Sequence, residues 1–268
     1  MPLEALFFDV DGTLAETEEV HRAAFNQAFA HFGLSWVWDA VLYGELLSVS
    51  GGLERIRHYV LAHAPPGGEM ALEQIEDIHR YKLDVYTRLV DDGAARLRPG
   101  IERLIDEARS RGLKLAIASS TARDNVMALL LATLDTRGPD LFHVIEAGDG
   151  GPKKSGLAAY RNALAALGVD PARCIAFEDA PSGLGAAMEA GLRVVVTPSL
   201  YTVGRDFTGA LAVVSHLGDP FDPYEHIAGE GGGRRLVSVT DLRRWLDDDD
   251  DMRSLLTING KPAVPARG

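Results

Sequence analysis

The chain has 268 residues, of which 46% are hydrophobic, enough for one large α/β domain, a smaller insertion and an ample core. Its net charge of -12 argues against a nucleic-acid-binding surface and against a general affinity for anionic membranes, leaving any small anion to be bound by local Lys and Arg. Cys174 is the single cysteine, which excludes an intrachain disulfide framework and a cysteine-rich zinc site; with no charged leader and no apolar run of membrane-spanning length, we expect a soluble, cytoplasmic, unprocessed protein.

In chain order the first element is the apolar run Leu6-Phe7-Phe8, which stops at Asp9-Val10-Asp11-Gly12-Thr13. Continuous apolar character suits a central strand of a parallel sheet, and such sheets bind ligands beyond the carboxyl ends of their strands. Asp9 and Asp11 lie on the same side of an extended chain and repel unless a cation lies between them; a hard ion such as Mg²⁺ takes oxygen ligands. With that repulsion neutralised, one carboxylate can attack phosphorus while the other handles a proton. The plainer reading, that both merely cap the next helix, is less economical, because paired carboxylates at a strand end are costly without a use.

From Glu16 to Phe32 the apolar residues Val20, Ala24, Ala28 and Phe32 line one face of a helix, with Glu18 and His21 near its start. The pattern stays helical to about Arg96, broken by Pro65-Pro66-Gly67-Gly68, and Arg98-Pro99-Gly100 marks its exit. We therefore expect residues 15–98 to form a helical cap over the edge that holds Asp9, a lid that excludes water when it closes. Residues 1–14 and 99–235 would form the α/β core. Here strands at Leu113–Ala118, Phe142–Ala147, Arg173–Phe177 and Leu192–Val196 alternate with helices, the pattern of a parallel sheet. In the extension over 236–268, expected to be partly disordered, Val237–Leu246 reads as a short terminal helix. The acidic run Asp247–Asp251 reads as an extended, solvated tail.

Each strand end delivers polar chemistry to one edge: Ser119-Ser120-Thr121 after the second strand, Lys153 and Lys154 after the third, Glu178-Asp179 after the fourth. A hydroxyl from Ser119 and an amine from Lys154 suit the non-bridging oxygens of a phosphoryl group, while Glu178 and Asp179 supply further oxygen to the metal. Catalysis would then be positioning and charge neutralisation.

Phe8-Asp9-Val10-Asp11-Gly12-Thr13, Ser119, Lys154 and Glu178-Asp179, in this order, resemble the four motifs of the haloacid-dehalogenase-like phosphohydrolases. The cap opening Ala15-Glu16-Thr17-Glu18-Glu19-Val20-His21, then Trp36-Val37-Trp38-Asp39, Gly51-Gly52 and Glu54-Arg55-Ile56, resembles CbbY-type sugar-phosphate phosphatases, and Tyr201-Thr202 with Asp206-Phe207 continues the likeness. The resemblance implies a Rossmann-like core, an inserted α-helical cap and Mg²⁺ bound by Asp9, Asp11, Glu178 and Asp179. It also implies hydrolysis of xylulose 1,5-bisphosphate, a Rubisco inhibitor, which places the activity beside the Calvin cycle. By it Asp9 is the nucleophile, Asp11 the general acid and base, Ser119 and Lys154 complete the catalytic set, and Glu18, His21, Arg55 and Ser120 bind substrate.

Two departures stand out. Leu53 follows the paired glycines where related chains carry Lys, removing a contact to a distal phosphate, and Arg55 takes its place only if the segment is an irregular loop. The stretch after Lys154 lacks the usual Pro and Asp, which leaves Lys153 as the rival catalytic lysine. The alternatives are a β-phosphoglucomutase-like isomerase, which returns phosphate to the sugar, and a non-catalytic sugar-phosphate-binding protein. We expect a monomer whose partner is a small-molecule sugar phosphate rather than nucleic acid or membrane.

Overall fold

The computed structural model describes residues 2–49, 51–148 and 156–258. Its first strand, β1 (Ala5–Phe8), is buried along its whole length. The strands that follow are β2 (Lys114–Ala122), β3 (Val144–Gly148), β4 (Cys174–Glu178), β5 (Arg193–Val196), β6 (Ala212–Val214) and β7 (His226–Gly229). Among the described residues they form one seven-stranded sheet in the order β3-β2-β1-β4-β5-β6-β7, parallel except for the β6–β7 pair. The α/β parallel core expected from the alternating pattern is therefore present, with β1 at its centre. The sequence pattern offers no strand beyond Val196. β6 and β7 are three and four residues long, too short to show a period of their own.

Both phases of β1 are apolar because both faces of the sheet are covered. Leu6 and Phe8 belong to one buried cluster with Ile117, Ile175 and Phe177, whereas Ala5 and Phe7 belong to another with Ala116, Ala118 and Ala176. Phe8 stacks on Phe177 with ring centroids 4.8 Å apart, which fixes β1 against β4 one residue before each chain turns acidic.

Between β1 and β2 the chain forms α1 (Glu18–His31), α2 (Ala40–Leu46), α3 (Gly52–His63), α4 (Gly68–Glu73) and α5 (Ile75–Asp91), followed by α6 (Ile101–Ser110). The insertion has an aromatic core of its own, with Phe25, Phe29, Trp36, Trp38 and Tyr43 buried together. The other sides of α1 and α5, through Val20, Ala24, Val85, Tyr86 and Val90, join the main cluster of the sheet. The two chain segments that link the insertion to the sheet lie side by side. Ala15 and Leu97 form an antiparallel bridge, and the Arg98 amide donates to the Leu14 carbonyl at 2.9 Å.

The remaining helices are α7 (Arg123–Thr133), α8 (Gly156–Leu167), α9 (Pro181–Glu189) and α10 (Val239–Ile258). The last differs from expectation: the helix does not stop near Leu246 but runs on through the acidic residues to Ile258. Ser238 and Asp241 explain its start. The Asp241 amide donates to Ser238 Oγ at 3.1 Å, and the Ser238 amide and hydroxyl donate to Asp241 Oδ2 at 3.3 and 2.5 Å, a reciprocal capping box. Once nucleated, a helix adds residues at less cost than it took to begin. Val239, Leu242, Trp245 and Leu246 are buried in the main cluster, so this segment is part of the fold. No helix among the described residues is long and apolar enough to cross a membrane.

Cys174 opens β4 and is fully buried, and burial, with Glu4 and Asp170 nearby, pushes its thiol up to about 12. A thiol reagent at neutral pH should therefore leave the native protein unmodified and react stoichiometrically only after unfolding in denaturant. Rapid modification of the native chain would show that β4 opens locally.

Candidate active site

The carboxyl ends of β1 and β4 lie side by side, in register from Ala5 opposite Cys174 to Phe8 opposite Phe177. The Asp9 amide continues the pairing, donating to the Phe177 carbonyl at 3.1 Å. Asp9 and the acidic pair that ends β4 are thereby brought together: Asp9, Glu178 and Asp179 each offer a carboxylate oxygen within 4.8 Å of the others. Two glycines make the approach possible. Gly12, in a left-handed conformation at φ +77°, passes so close that a Cβ there would lie 2.4 Å from Asp179 Oδ2. A Cβ on Gly183 would lie 1.9 Å from Glu178 Oε2.

Loss of water and mutual repulsion set the protonation of this group. Burial, then the charges of Glu178, Asp179 and Asp11, raise the Asp9 carboxyl well above its ordinary range. Burial and Asp179 push Glu178 up to about 8, although Tyr160 donates to Glu178 Oε1 at 2.5 Å. Burial also raises Asp179 to about 6, with Ser199 and Arg98 opposing. Three carboxyl groups that offer only oxygen, and become anionic as they give up their protons, fit a hard divalent cation such as Mg²⁺.

The Asp11 side chain stands apart from this trio. Its Oδ1 accepts from Thr17 Oγ1 at 2.5 Å and from His21 Nε2 at 3.1 Å, and its Oδ2 accepts from Thr121 Oγ1. Burial alone would raise it, but His21 and the two threonines outweigh that and hold the carboxylate well below its usual value. His21, only 7% exposed, stacks on Tyr86 at 4.1 Å. Lys82 Nζ lies 2.7 Å from His21 Nδ1; with Lys82 donating there, Nε2 carries the proton that faces Asp11. Burial brings the Lys82 ammonium down to about 7 despite the charge of Asp11.

The insertion contributes a second cluster. Tyr43 donates to Glu18 Oε2 at 2.8 Å and accepts from Arg55 Nη1 at 3.0 Å. Arg55 Nε also reaches the carbonyls of Leu46 and Val49, at 3.1 and 3.3 Å. Of the residues expected from sequence, Asp9, Glu178 and Asp179 thus form one group, and Asp11 with His21 a second that the charge of Glu18 reaches. Glu18 and Arg55 meet on Tyr43. Ser119 is buried, its Oγ accepting from the Thr121 amide at 3.3 Å, whereas Ser120 is exposed and Thr121 is the residue that touches Asp11. Lys153 and Lys154 lie outside the described residues.

Sequence reasoning missed Thr17, Thr121, Lys82 and Tyr160. Only Lys82 left a signal: it sits four residues from both Ile78 and Tyr86, a charge on the apolar stripe of α5, and long charged side chains are seldom buried without a partner.

A model of haloacid dehalogenase-like hydrolases matches residues 3–191. Protein CbbY of Rhodobacter capsulatus is 48% identical over 213 residues, covering 78% of this chain and 92% of that protein. The chain belongs to the haloacid dehalogenase-like hydrolases, as a CbbY-type member. A crystal structure of CbbY from Rhodobacter sphaeroides in complex with phosphate superposes with a TM-score of 0.74 at 43% identity, covering 80% of this chain and 94% of that one. An aspartate-to-asparagine mutant of the same protein, crystallised with xylulose-(1,5)bisphosphate, gives 0.72 at the same identity and coverage. This CbbY-type hydrolase is an enzyme of the phosphatase class.

Since the metal-free carboxylates hold protons, cation binding must release them. Mg²⁺ affinity should therefore rise as pH climbs through about 6, where Asp179 ionises, and about 8, where Glu178 does. Calorimetry near neutral pH should show a heat that varies with the ionisation enthalpy of the buffer. A pH-independent affinity with no proton release would contradict the assignment.

Proposed function

We propose that the protein is a Mg²⁺-dependent phosphatase that hydrolyses a sugar phosphate, with xylulose 1,5-bisphosphate as the leading candidate, through an aspartyl-phosphate on Asp9. The observation that carries the substrate is the xylulose-(1,5)bisphosphate complex of a relative 43% identical over 80% of this chain. The convergence of Asp9, Glu178 and Asp179 supports the chemistry. Bound at these three carboxylates, Mg²⁺ would neutralise their repulsion and the charge of the phosphoryl oxygens.

In this reading an Asp9 carboxylate oxygen attacks phosphorus, the ester P–O bond breaks, and the electron pair leaves with the sugar oxygen. Asp11 gives that oxygen a proton and regains one from the water that attacks the aspartyl-phosphate, so the cycle closes with release of phosphate. The three donors on Asp11 hold it as a base at rest. Entry of a substrate that displaces Thr17 or His21 would raise its proton affinity and ready it as an acid. Ser119 and Lys154 would hold phosphoryl oxygens, Glu18, His21, Arg55 and Ser120 would contact the sugar, and residues 15–98 would close as a cap over the core of 1–14 and 99–235. Asp9→Asn should fold and show no measurable phosphate release from any of a panel of sugar mono- and bisphosphates. Turnover that survives this change, or excess chelator, would overturn the mechanism. Isomerisation without net phosphate release would point to a mutase.

The helical register of α3 bears on how a cap would meet a second phosphate. Because α3 begins at Gly52, Leu53 and Arg55 sit two positions apart on a helix and point to different sides, so Arg55 does not occupy the place of Leu53. Leu53 packs instead against the aromatic core of the insertion. Leu53→Lys should lower KM for the bisphosphate by about one to two decades, as expected of a charge-assisted contact, and leave monophosphate KM nearly unchanged. An unchanged bisphosphate KM would place the distal phosphate elsewhere.

A further inference from the structure

The turn that follows β5 touches both halves of the site. Its rear is held by Arg98, whose buried guanidinium donates to the carbonyls of Thr197 at 2.6 Å and Pro198 at 2.8 Å. Within the turn, the amides of Thr202 and Val203 donate to the Ser199 carbonyl at 3.1 and 3.0 Å, and the Ser199 amide donates back to Thr202 Oγ1 at 2.8 Å. These bonds close the segment on itself as a single hydrogen-bonded unit. Its inner side meets Asp179: Ser199 hydrogen-bonds that carboxylate, and Thr202 Oγ1 lies 3.4 Å from Asp179 Oδ2.

Its outer side meets the insertion. The Tyr201 hydroxyl donates to Glu19 Oε1 on α1, and Arg22 binds the same carboxylate while donating to the Trp38 carbonyl at 3.1 Å. The Tyr201 ring stands edge-on to Tyr43 at 5.6 Å, over Gly44, where a Cβ would come within 3.2 Å of it. Tyr43 is the residue on which Glu18 and Arg55 meet.

We propose that Tyr201 is a positioning residue: the turn Ser199–Val203 is a strut that transmits occupation of the Asp179 side of the site to α1 and α2, setting Glu18, Tyr43 and Arg55 over the reacting groups. Because Arg98 blocks movement to the rear, a shift of Asp179 toward a cation or phosphoryl group is passed forward through Ser199 and Thr202 to the tyrosine ring. The strut rests on the phosphatase reading above for its role in turnover, but not for its mechanics.

The test uses hydrogen exchange of the full chain, with Mg²⁺ and inorganic phosphate as probes. In the wild type their addition should slow exchange of the Ala40–Leu46 amides as well as those around Asp179. In Tyr201→Phe the slowing around Asp179 should persist and that in Ala40–Leu46 should be lost. Glu19→Gln keeps an acceptor for the hydroxyl and should retain the coupling, whereas Glu19→Ala should lose it. In kinetics, Tyr201→Phe should raise KM for the sugar bisphosphate about tenfold, the scale of one hydrogen bond to a charged group, while turnover of p-nitrophenyl phosphate stays at the wild-type level. Ala40–Leu46 amides that ignore the probes in the wild type, or that respond equally in Tyr201→Phe, would overturn the proposal. If no sugar phosphate is turned over but the exchange pattern depends on Tyr201, the substrate reading fails and the strut stands.

Discussion

Three carboxylates in mutual reach at the joint end of β1 and β4 are the constraint around which the rest of the molecule is arranged. Like charges withdrawn from water oppose folding, and here they answer by holding protons. The surroundings enforce the arrangement nonetheless. The Phe8–Phe177 stack fixes the two strands, Gly12 and Gly183 remove the side chains that would push Asp179 and Glu178 away, and Tyr160 pins one oxygen of Glu178. A cluster so costly and so firmly held is the kind of locally unfavourable feature that function, rather than stability, explains.

Asp11, two residues from Asp9, lives in the opposite environment. Thr17 and His21 from the insertion side and Thr121 from the sheet side give it three donors, which keep it ionised and fixed in direction. One short segment thus presents a carboxylate that favours its proton and another that gives it up readily. Because two of the three donors on Asp11 come from the entry to the insertion, movement of those helices changes the basicity of Asp11 directly.

Much of this was legible in the chain because strand ends and acidic pairs are local signals. The apolar run before Asp9, the paired residues Glu178-Asp179 and the alternating rhythm after Pro99 each report on their own neighbourhood. The residues that tune the site do not: Thr17 meets Asp11 across a chain turn, Thr121 and Lys82 arrive from distant strands and helices, and Tyr160 reaches Glu178 from α8. Apart from Lys82, a charge on the apolar stripe of α5, each looks ordinary until topology supplies its partner. The spacing that puts Asp11 beside Asp9 does not reveal that both side-chain oxygens of Asp11 are engaged by Thr17, His21 and Thr121. Likewise Val239–Ile258 continues through an acidic run because a capping box and buried Trp245 and Leu246 outweigh local charge repulsion.

The central claim is that the carboxylate trio is a strained arrangement stabilised by a cation. Thermal unfolding of the metal-free wild type and metal-free Asp9→Asn, each repeated with saturating Mg²⁺, tests it most directly. Because Asp9 already holds its proton without metal, the metal-free variant should melt close to the wild type, and Mg²⁺ should raise the wild type by several degrees and the variant by much less. Equal Mg²⁺ shifts in the two proteins, or no shift in either, would contradict the account.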